Sequence, residues 1–289
     1  MPELPEVEVV RLGIAASVTG ATVTAVDVTE PRSLRRHPGP PEDFIARLEG
    51  SVLAAPERRG KFLWLPLEGG TPEALVVHLG MSGQVLLREA GVADARTRIR
   101  IDVEGAAGRF RLNFVDQRIF GSMAIDELAV TADAPGGLVP ASVAHIARDP
   151  LDPRFDERRF FTRLATKRTG IKRALLDQTL MSGVGNIYAD EALWIARIHY
   201  DQPADTLSRA KAKALLVAVR GVFAKALAEG GTSFDAQYVN VNGESGYFAH
   251  SLNAYGQHGK PCPRCGTAMV RESWMNRNSH FCPRCQRLR

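Results

Sequence analysis

The closing stretch "CPRCGTAMVRESWMNRNSHFCPRC" holds all four cysteines of the chain, as two C-x2-C pairs with sixteen residues between them. Each pair sets two thiols on a tight turn, and a hairpin of this spacing brings Cys262, Cys265, Cys282 and Cys285 together as a tetrahedral S4 cage suited to one Zn²⁺. Two disulfides are the competing arrangement, disfavoured in a cytoplasmic setting, and the geometry also admits iron. Four ligands leave no open coordination position, so the metal is structural. A zinc ribbon by itself says interaction module, without saying which partner.

Charge placement narrows the partner. The net charge of +5 is modest, but residues 257–289 hold seven Lys or Arg against the single acid Glu272. A second basic block, residues 154–173, holds eight positive residues and two acids. Two concentrated basic patches on a nearly neutral body suit a polyanion, because neutralising phosphates releases their counterions. Composition alone weighs about equally for plain solvated faces. No apolar run approaches the length that crosses a bilayer, and the N-terminus is acidic and proline-broken where a signal peptide is basic and then apolar. The expected compartment is the cytoplasm.

Along the chain the hydrophobic period changes twice. After a short helical opening, residues 21–127 read as strands in "ATVTAVDV", "KFLWLPL", "EALVVHL", "RIRIDV" and "RFRLNFV", with alternation or short apolar runs between turn residues. Residues 133–153 are rich in Pro, Gly and Asp and read as a linker. From 155 to 229 the period is helical, with Leu215, Ala218, Val222, Phe223, Ala226 and Leu227 on one face before Gly230 and Gly231. The expected fold class is therefore α+β and multidomain: an antiparallel β-sandwich behind an N-terminal helix, then a helical domain and a zinc-ribbon hairpin.

The first eight residues, "MPELPEVE", hold two prolines and three carboxylates. Removal of Met1, expected before a small residue, exposes Pro2 as a secondary amine. An α-amino group has a pKa of about 7.7–8.0, so a useful fraction is neutral and can attack carbon. The adduct with an aldehyde-level carbon is a permanently cationic iminium, an electron sink that needs no proton. Glu3 beside it can donate or accept protons. Taken alone, the octapeptide favours an ordinary helix start, with proline and acids in the first turn.

Six segments in order, "MPELPEVE", "GKFLWL" (60–65), "HLGMSG" (78–83), "DQRIFG" (116–121), "MSGVGNIYADEALW" (181–194) and "NRNSHFCPRCQ", resemble the formamidopyrimidine-DNA glycosylase family along the whole chain. The resemblance implies a bifunctional base-excision-repair enzyme, glycosylase and abasic-site lyase, monomeric and nucleoid-associated, acting on duplex DNA with oxidised or missing bases. It divides the chain into a catalytic sandwich (1–132), the linker (133–153), a helix-two-turn-helix domain (154–230), a lesion-capping region (231–256) and the zinc finger (257–289). It implies Pro2 as nucleophile at C1′, Glu3 as proton donor, Lys61 assisting β-elimination and Arg277 assisting δ-elimination, with Glu6 orienting the site or standing plainly on the helix surface. Met81 and Phe120 match apolar wedges that replace the stacking of an extruded base, and Arg118 matches the arginine that pairs with the orphaned cytosine. Met81 as a core filler and Phe120 as a sandwich-core residue are the plain alternatives.

Backbone contacts are implied at Asn186, where a helix N-terminus can meet phosphate or the side chain can serve as an N-cap, and at Lys167, with Lys172 nearby. Arg96 stands where many relatives have a DNA-contacting histidine, and Ile119 where a second basic residue is common; both are departures. "FDAQYVNVNGESGYF" matches a lid that closes over oxidised purines, with Gly243 and Gly246 suiting movement. An endonuclease VIII-type enzyme for oxidised pyrimidines is the nearest alternative, opposed by the opening octapeptide and the long lid. A non-catalytic damage-binding relative is opposed by Pro2, Glu3, Lys61 and Arg277 together.

Overall fold

The computed structural model describes residues 2–131, 133–232, 241 and 247–289. The chain divides into two compact units, residues 1–145 with 232–246, and residues 146–231 with 247–289.

The first unit begins with helix α1 (Leu4–Val18), whose Leu4, Val7, Val10, Ile14 and Val18 recur at helical spacing and are buried. Strand β1 (Ala21–Val28) and helix α2 (Pro41–Leu48) follow, then β2 (Val52–Leu53), β3 (Glu57–Arg59), β4 (Phe62–Glu68), β5 (Glu73–His78), β6 (Gly83–Glu89), β7 (Thr97–Gly105), β8 (Gly108–Asp116), β9 (Ser122–Thr131) and β10 (Ala134–Pro140). They pair in the order β10-β9-β5-β4-β2-β1-β7-β8-β6, with β3 on β4, and every pairing is antiparallel.

Register decides which side chains share a face. Leu63, Val77 and Met123 form one row across β4, β5 and β9, and Leu65, Leu75 and Ile125 form the next. In the other half Ile99 and Ile101 of β7 oppose Phe114 and Leu112 of β8. Both halves and α1 contribute to one buried cluster, so the sheet folds over itself as the expected sandwich. The proline- and glycine-rich stretch read as a linker is not all linker: Ala134–Pro140 pairs with β9 as the outermost strand. Edge strands are where sheets tolerate proline, since one side of the strand has no ladder to complete.

The second unit holds α3 (Glu157–Leu164), α4 (Ile171–Leu175), α5 (Asn186–Ala196), α6 (Arg209–Ala228) and the hairpin β11 (Val270–Trp274) and β12 (Arg277–Phe281). Leu215, Ala218, Val222, Phe223 and Ala226 of α6 are buried as their spacing predicts. Tyr188 of α5 packs edge-on to Phe223 and stacks on Phe248. Among the described residues no helix is long and apolar enough to cross a membrane.

A buried ionic cluster joins the hairpin to the helices. Lys172, fully buried, lies 2.7 Å from Asp190 Oδ1 and donates to Ser279 Oγ at 2.8 Å and to the Asn278 carbonyl at 3.1 Å. The other Asp190 oxygen accepts the His280 N–H at 2.9 Å. Lys172 is thus a structural cation, away from the surface where its place beside Lys167 suggested a DNA contact. Removing one member of such a pair strands the other charge. Lys172→Met should cost about 3–5 kcal/mol, read by urea unfolding of the second unit together with faster hydrogen exchange in β12.

Candidate active site and nucleic-acid contacts

The chain end is ordered by a reciprocal cap. Glu3 is the N-cap of α1 and its carboxylate accepts the Glu6 N–H, while the Glu3 N–H donates to Glu6 Oε2 at 2.8 Å. The second Glu6 oxygen accepts both the N–H and the hydroxyl of Thr232, each at 2.8 Å. Glu3 and Glu6 are 1% and 2% exposed. This excludes the helix-surface reading of Glu6, and Pro2, just ahead of the cap, is buried as well. One turn on, Glu8 bridges Arg11 and Arg58. Burial alone would raise its carboxyl, but the hydrogen bonds from the two guanidiniums outweigh burial and hold it below the ordinary value. Arg58 belongs to β3, so this bridge fixes α1 against the hairpin β3–β4. Gly60, at φ +58°, opens the two-residue turn of that hairpin, and Lys61, half-buried, completes it.

Two loops of the first unit interlock around Asp116. Its Oδ1 accepts the Ser82 hydroxyl at 2.5 Å and the Arg118 N–H at 3.1 Å, and its Oδ2 accepts the Gly121 N–H at 2.6 Å. Gly80, at φ +64°, lies so close to the Phe120 backbone that a Cβ would sit 2.4 Å from the Phe120 carbonyl. Arg35 closes the arrangement from outside, donating to the carbonyls of Ile119, Phe120 and Gly121. The residues so displayed are Met81, 44% exposed, Phe120, 41% exposed, and an exposed Arg118 whose guanidinium lies 4.8 Å from the Phe120 ring centroid. The core readings of Met81 and Phe120 therefore fail. Two large apolar side chains and an arginine stand in solvent on a rigid support.

His78, Asp116 and Arg35 were not singled out from the sequence, although the first two lie within quoted motifs. His78 Nδ1 accepts the Gly80 N–H at 3.1 Å, so the proton of the neutral ring is on Nε2. Burial, with the charges of Arg36, Lys61 and Arg35, lowers its pKa to about 4. These three cations mark an electropositive patch around Lys61. Arg96 is exposed in the left-handed region at φ +63°, and its carbonyl accepts the Asp116 N–H. Of the lid, only Val241 and the residues from Tyr247 on are described; Gly243 and Gly246 lie outside the described residues. Val241 is buried, and its carbonyl accepts the Leu87 N–H at 3.0 Å.

In the second unit Asn186 is the first residue of α5, and Gly185 takes the N-cap position. Asn186 Nδ2 donates to the Asn278 carbonyl at 3.2 Å, and its Oδ1 has no hydrogen-bond partner among the described residues. The adjacent Arg277 starts β12 at the hairpin tip, half-buried, with Nε donating to Asn276 Oδ1. Lys167 is not free: it pairs with Asp177 at 2.6 Å. Burial opposes ionisation of Asp177, yet Lys167 and Thr179 outweigh it and hold the carboxyl at about 2.

The four cysteine sulfurs lie within 4.8 Å of one another, and none is in a disulfide. Trp194 Nε1 donates to Cys262 Sγ at 3.5 Å, and Trp194, Ala254 and Met269 pack beside the cage. Hydrogen bonds from Thr267 bring Cys265 down to about 6 while burial pushes Cys282 up to about 12. A divalent cation at the centre binds the four sulfurs as thiolates, displacing their protons. Soft donors in this number and spacing fit one structural zinc.

Residues 1–123 match the family described as the formamidopyrimidine-DNA glycosylase N-terminal domain, residues 146–237 its H2TH domain, and residues 259–288 the zinc finger found in FPG and IleRS. The formamidopyrimidine-DNA glycosylase of Leifsonia xyli is 61% identical over 297 residues, covering 100% of both chains. This chain belongs to the formamidopyrimidine-DNA glycosylase family. The crystal structure of the MutM (Fpg) protein of Thermus thermophilus superposes with a TM-score of 0.83 at 35% identity, covering 100% of both chains. That of Lactococcus lactis Fpg in complex with abasic-site DNA gives 0.82 at 28% identity, over 99% of each chain. Family membership makes the protein a DNA-repair glycosylase with a zinc finger.

Two outcomes test the geometry of this glycosylase. In Asp116→Asn an amide replaces an oxygen that accepts an N–H, and since a hydrogen bond to a charged group contributes about 1.5–3 kcal/mol, a loss of that order is expected, with hydrogen exchange at Arg118 and Gly121 accelerated at least about tenfold. His78 binds its proton near pH 6.5 when unfolded but near 4 when folded. The unfolded state therefore binds more protons between these values, and stability should fall as pH drops from about 6.5 toward 4. His78→Gln should flatten that part of the Tm-against-pH curve.

Proposed function

We propose that this glycosylase removes oxidised purines, 8-oxoguanine and formamidopyrimidines, from duplex DNA and then cuts the strand at the abasic site. The carrying observation is the buried cap that holds Pro2 and Glu3 in one place, so that the chain end can serve as a reagent. The exposed trio of Met81, Arg118 and Phe120 supports extrusion of the damaged nucleotide: the apolar pair fills the vacated stack, and the guanidinium satisfies the orphaned cytosine.

With Met1 removed, the Pro2 nitrogen bonds to C1′ of the extruded sugar. The glycosidic C–N bond breaks, its electron pair leaves on the base, and the base takes up the proton that the Pro2 nitrogen loses. Glu3 gives a proton to the ring oxygen as the sugar opens, leaving an iminium between Pro2 and C1′. The iminium acidifies the C2′ hydrogens, so β-elimination expels the 3′ phosphate with Lys61 assisting. A further δ-elimination expels the 5′ phosphate with Arg277 assisting. Glu6 keeps the cap closed throughout and exchanges no proton with substrate. Asn186, Lys167 and Arg96 contact the phosphate backbone, Asn186 with the positive end of α5 behind it. Lys167 must first exchange Asp177 for phosphate.

The lid from Phe234 to Phe248 would give the preference for oxidised purines. We place this chemistry in the cytoplasm on nucleoid DNA, done by a monomer; the bacterial sources of the relatives support the compartment. Borohydride should trap the protein covalently on an 8-oxoguanine duplex, and mass spectrometry should find proline first in the active chain. Pro2→Gly and Glu3→Gln should each lower base excision by at least about 10²-fold with DNA binding retained. Preference for oxidised-pyrimidine duplexes would overturn the substrate assignment, and zinc-replete protein that binds but never traps would overturn the chemistry.

A further inference from the structure

The second unit carries a basic surface that the proposed chemistry does not use. A cavity of about 660 Å³ opens beside the cysteine cage, lined by Arg197, Lys211, Arg264, Arg284, Arg287 and Arg289 with Cys265 and Cys285. No carboxylate side chain lines it. Arg197 caps the C-terminus of α5 in the left-handed region at φ +55° and Lys211 lies in the first turn of α6, while the remaining cations come from the cysteine turns and the residues after them.

Part of this wall is preorganised. The Arg264 guanidinium lies 4.1 Å from the Trp194 ring centroid and donates to the Trp194 carbonyl at 3.0 Å. Lys211 Nζ donates to the Ala196 carbonyl at 3.1 Å. Arg197, Arg284 and Arg287 are exposed, and their side chains enter no hydrogen bond or ion pair among the described residues. Four thiolates around one Zn²⁺ carry a formal charge of −2, which two cations balance; the cavity has six. Neutralising the cage does not account for the rest.

The cavity also stands apart from Asn186 and Arg277. Asn186 starts α5 and touches Asn278 near the start of β12, whereas Gln286, beyond the end of β12, donates to the Ile198 carbonyl, beyond the end of α5. The two elements therefore run side by side in one direction, and the eleven residues of α5 put Arg197 about 16 Å along the axis from Asn186.

We propose that this groove binds the phosphodiester backbone of a second DNA segment, separate from the segment held at the Asn186–Arg277 end. The proposal rests on the reading of that end as the site of lesion-bearing DNA. Guanidinium forks match phosphate oxygens in pairs, and the Trp194 ring and carbonyl hold the Arg264 guanidinium in place at this wall. Every charged side chain lining the groove is a cation, so the hold is dominated by phosphate neutralisation and largely indifferent to sequence. A second weak hold lets the enzyme pass directly from one segment to another.

The test is a chase experiment with full-length, zinc-loaded protein on a short labelled lesion duplex, displaced by increasing unlabelled undamaged duplex. Wild-type dissociation should accelerate with competitor concentration, as direct transfer requires. In Arg284→Gln/Arg287→Gln it should not, and the slope of log K against log salt for undamaged duplex should become shallower by about 0.9 for each phosphate no longer neutralised. Arg197→Gln, on α5 outside the metal-binding tail, should act in the same direction. Single-turnover excision and zinc content should be unchanged. A wild-type rate independent of competitor, unchanged transfer in the variants, or an effect confined to tail variants that have lost zinc would each overturn the groove. Failure of the glycosylase reading would show differently, as wild-type protein that does not excise.

Discussion

The Glu6 carboxylate is the constraint on which the proposed catalytic end depends. An N-terminal amine is an ordinary weak nucleophile on the most mobile part of a chain, and it becomes useful only when the entropy of placing it has been removed beforehand. Glu6 does this with hydrogen bonds in two directions, one to the Glu3 backbone and two to Thr232, which is 226 residues away in sequence. The first tie closes the helix cap; the second fastens that cap to the segment leading into the lid. One side chain thus joins the start of the chain to the region expected to cover the lesion.

Asp116 has the corresponding place at the loops proposed to enter DNA. Exposed methionine and phenylalanine are disfavoured in water and tend to collapse onto the nearest apolar surface. Here the backbone beneath them is held by a buried carboxylate, a glycine packed against Phe120 and the Arg35 contacts to three carbonyls. The side chains stay out because the loops cannot fold inward. In the second unit, Lys172 and Asp190 form a third buried polar cluster, which sets β12, and so Arg277, against the helices. Each cluster spends buried polar groups on positioning, a use in which specificity of geometry matters more than net stability.

Much of this protein was legible in its sequence because the informative patterns are local. Cysteine spacing gave the cage, alternation and short apolar runs gave β1, β4, β5, β7 and β8, and helical periodicity gave α6. Strands β2, β3, β6 and β9 and helix α2 were not picked out within the stretch read as strands, and β10 was hidden because its prolines and glycines imitate a linker when an edge strand can tolerate them. Residue roles were harder where they depended on burial. Lys172 and Lys167 sit in one basic block and look alike, yet one is a fully buried structural cation and the other is paired on the surface with Asp177. Glu6 read equally well as a solvated helix residue, and Asp116 was not singled out at all.

The sequence by itself determined the chemistry available: a proline that can become an amine, a carboxylate beside it, and thiols at metal-binding spacing. These follow from residue type and short spacing, which no later folding changes. Tertiary structure alone decided which charges are buried, which are paired and which remain exposed, because those properties arise from contacts between segments far apart in the chain. Thr232 meeting Glu6, and Asn278 meeting Lys172 and Asn186, have no signature in either segment, since a hydrogen bond across such a separation exists only once the fold has brought its two ends together.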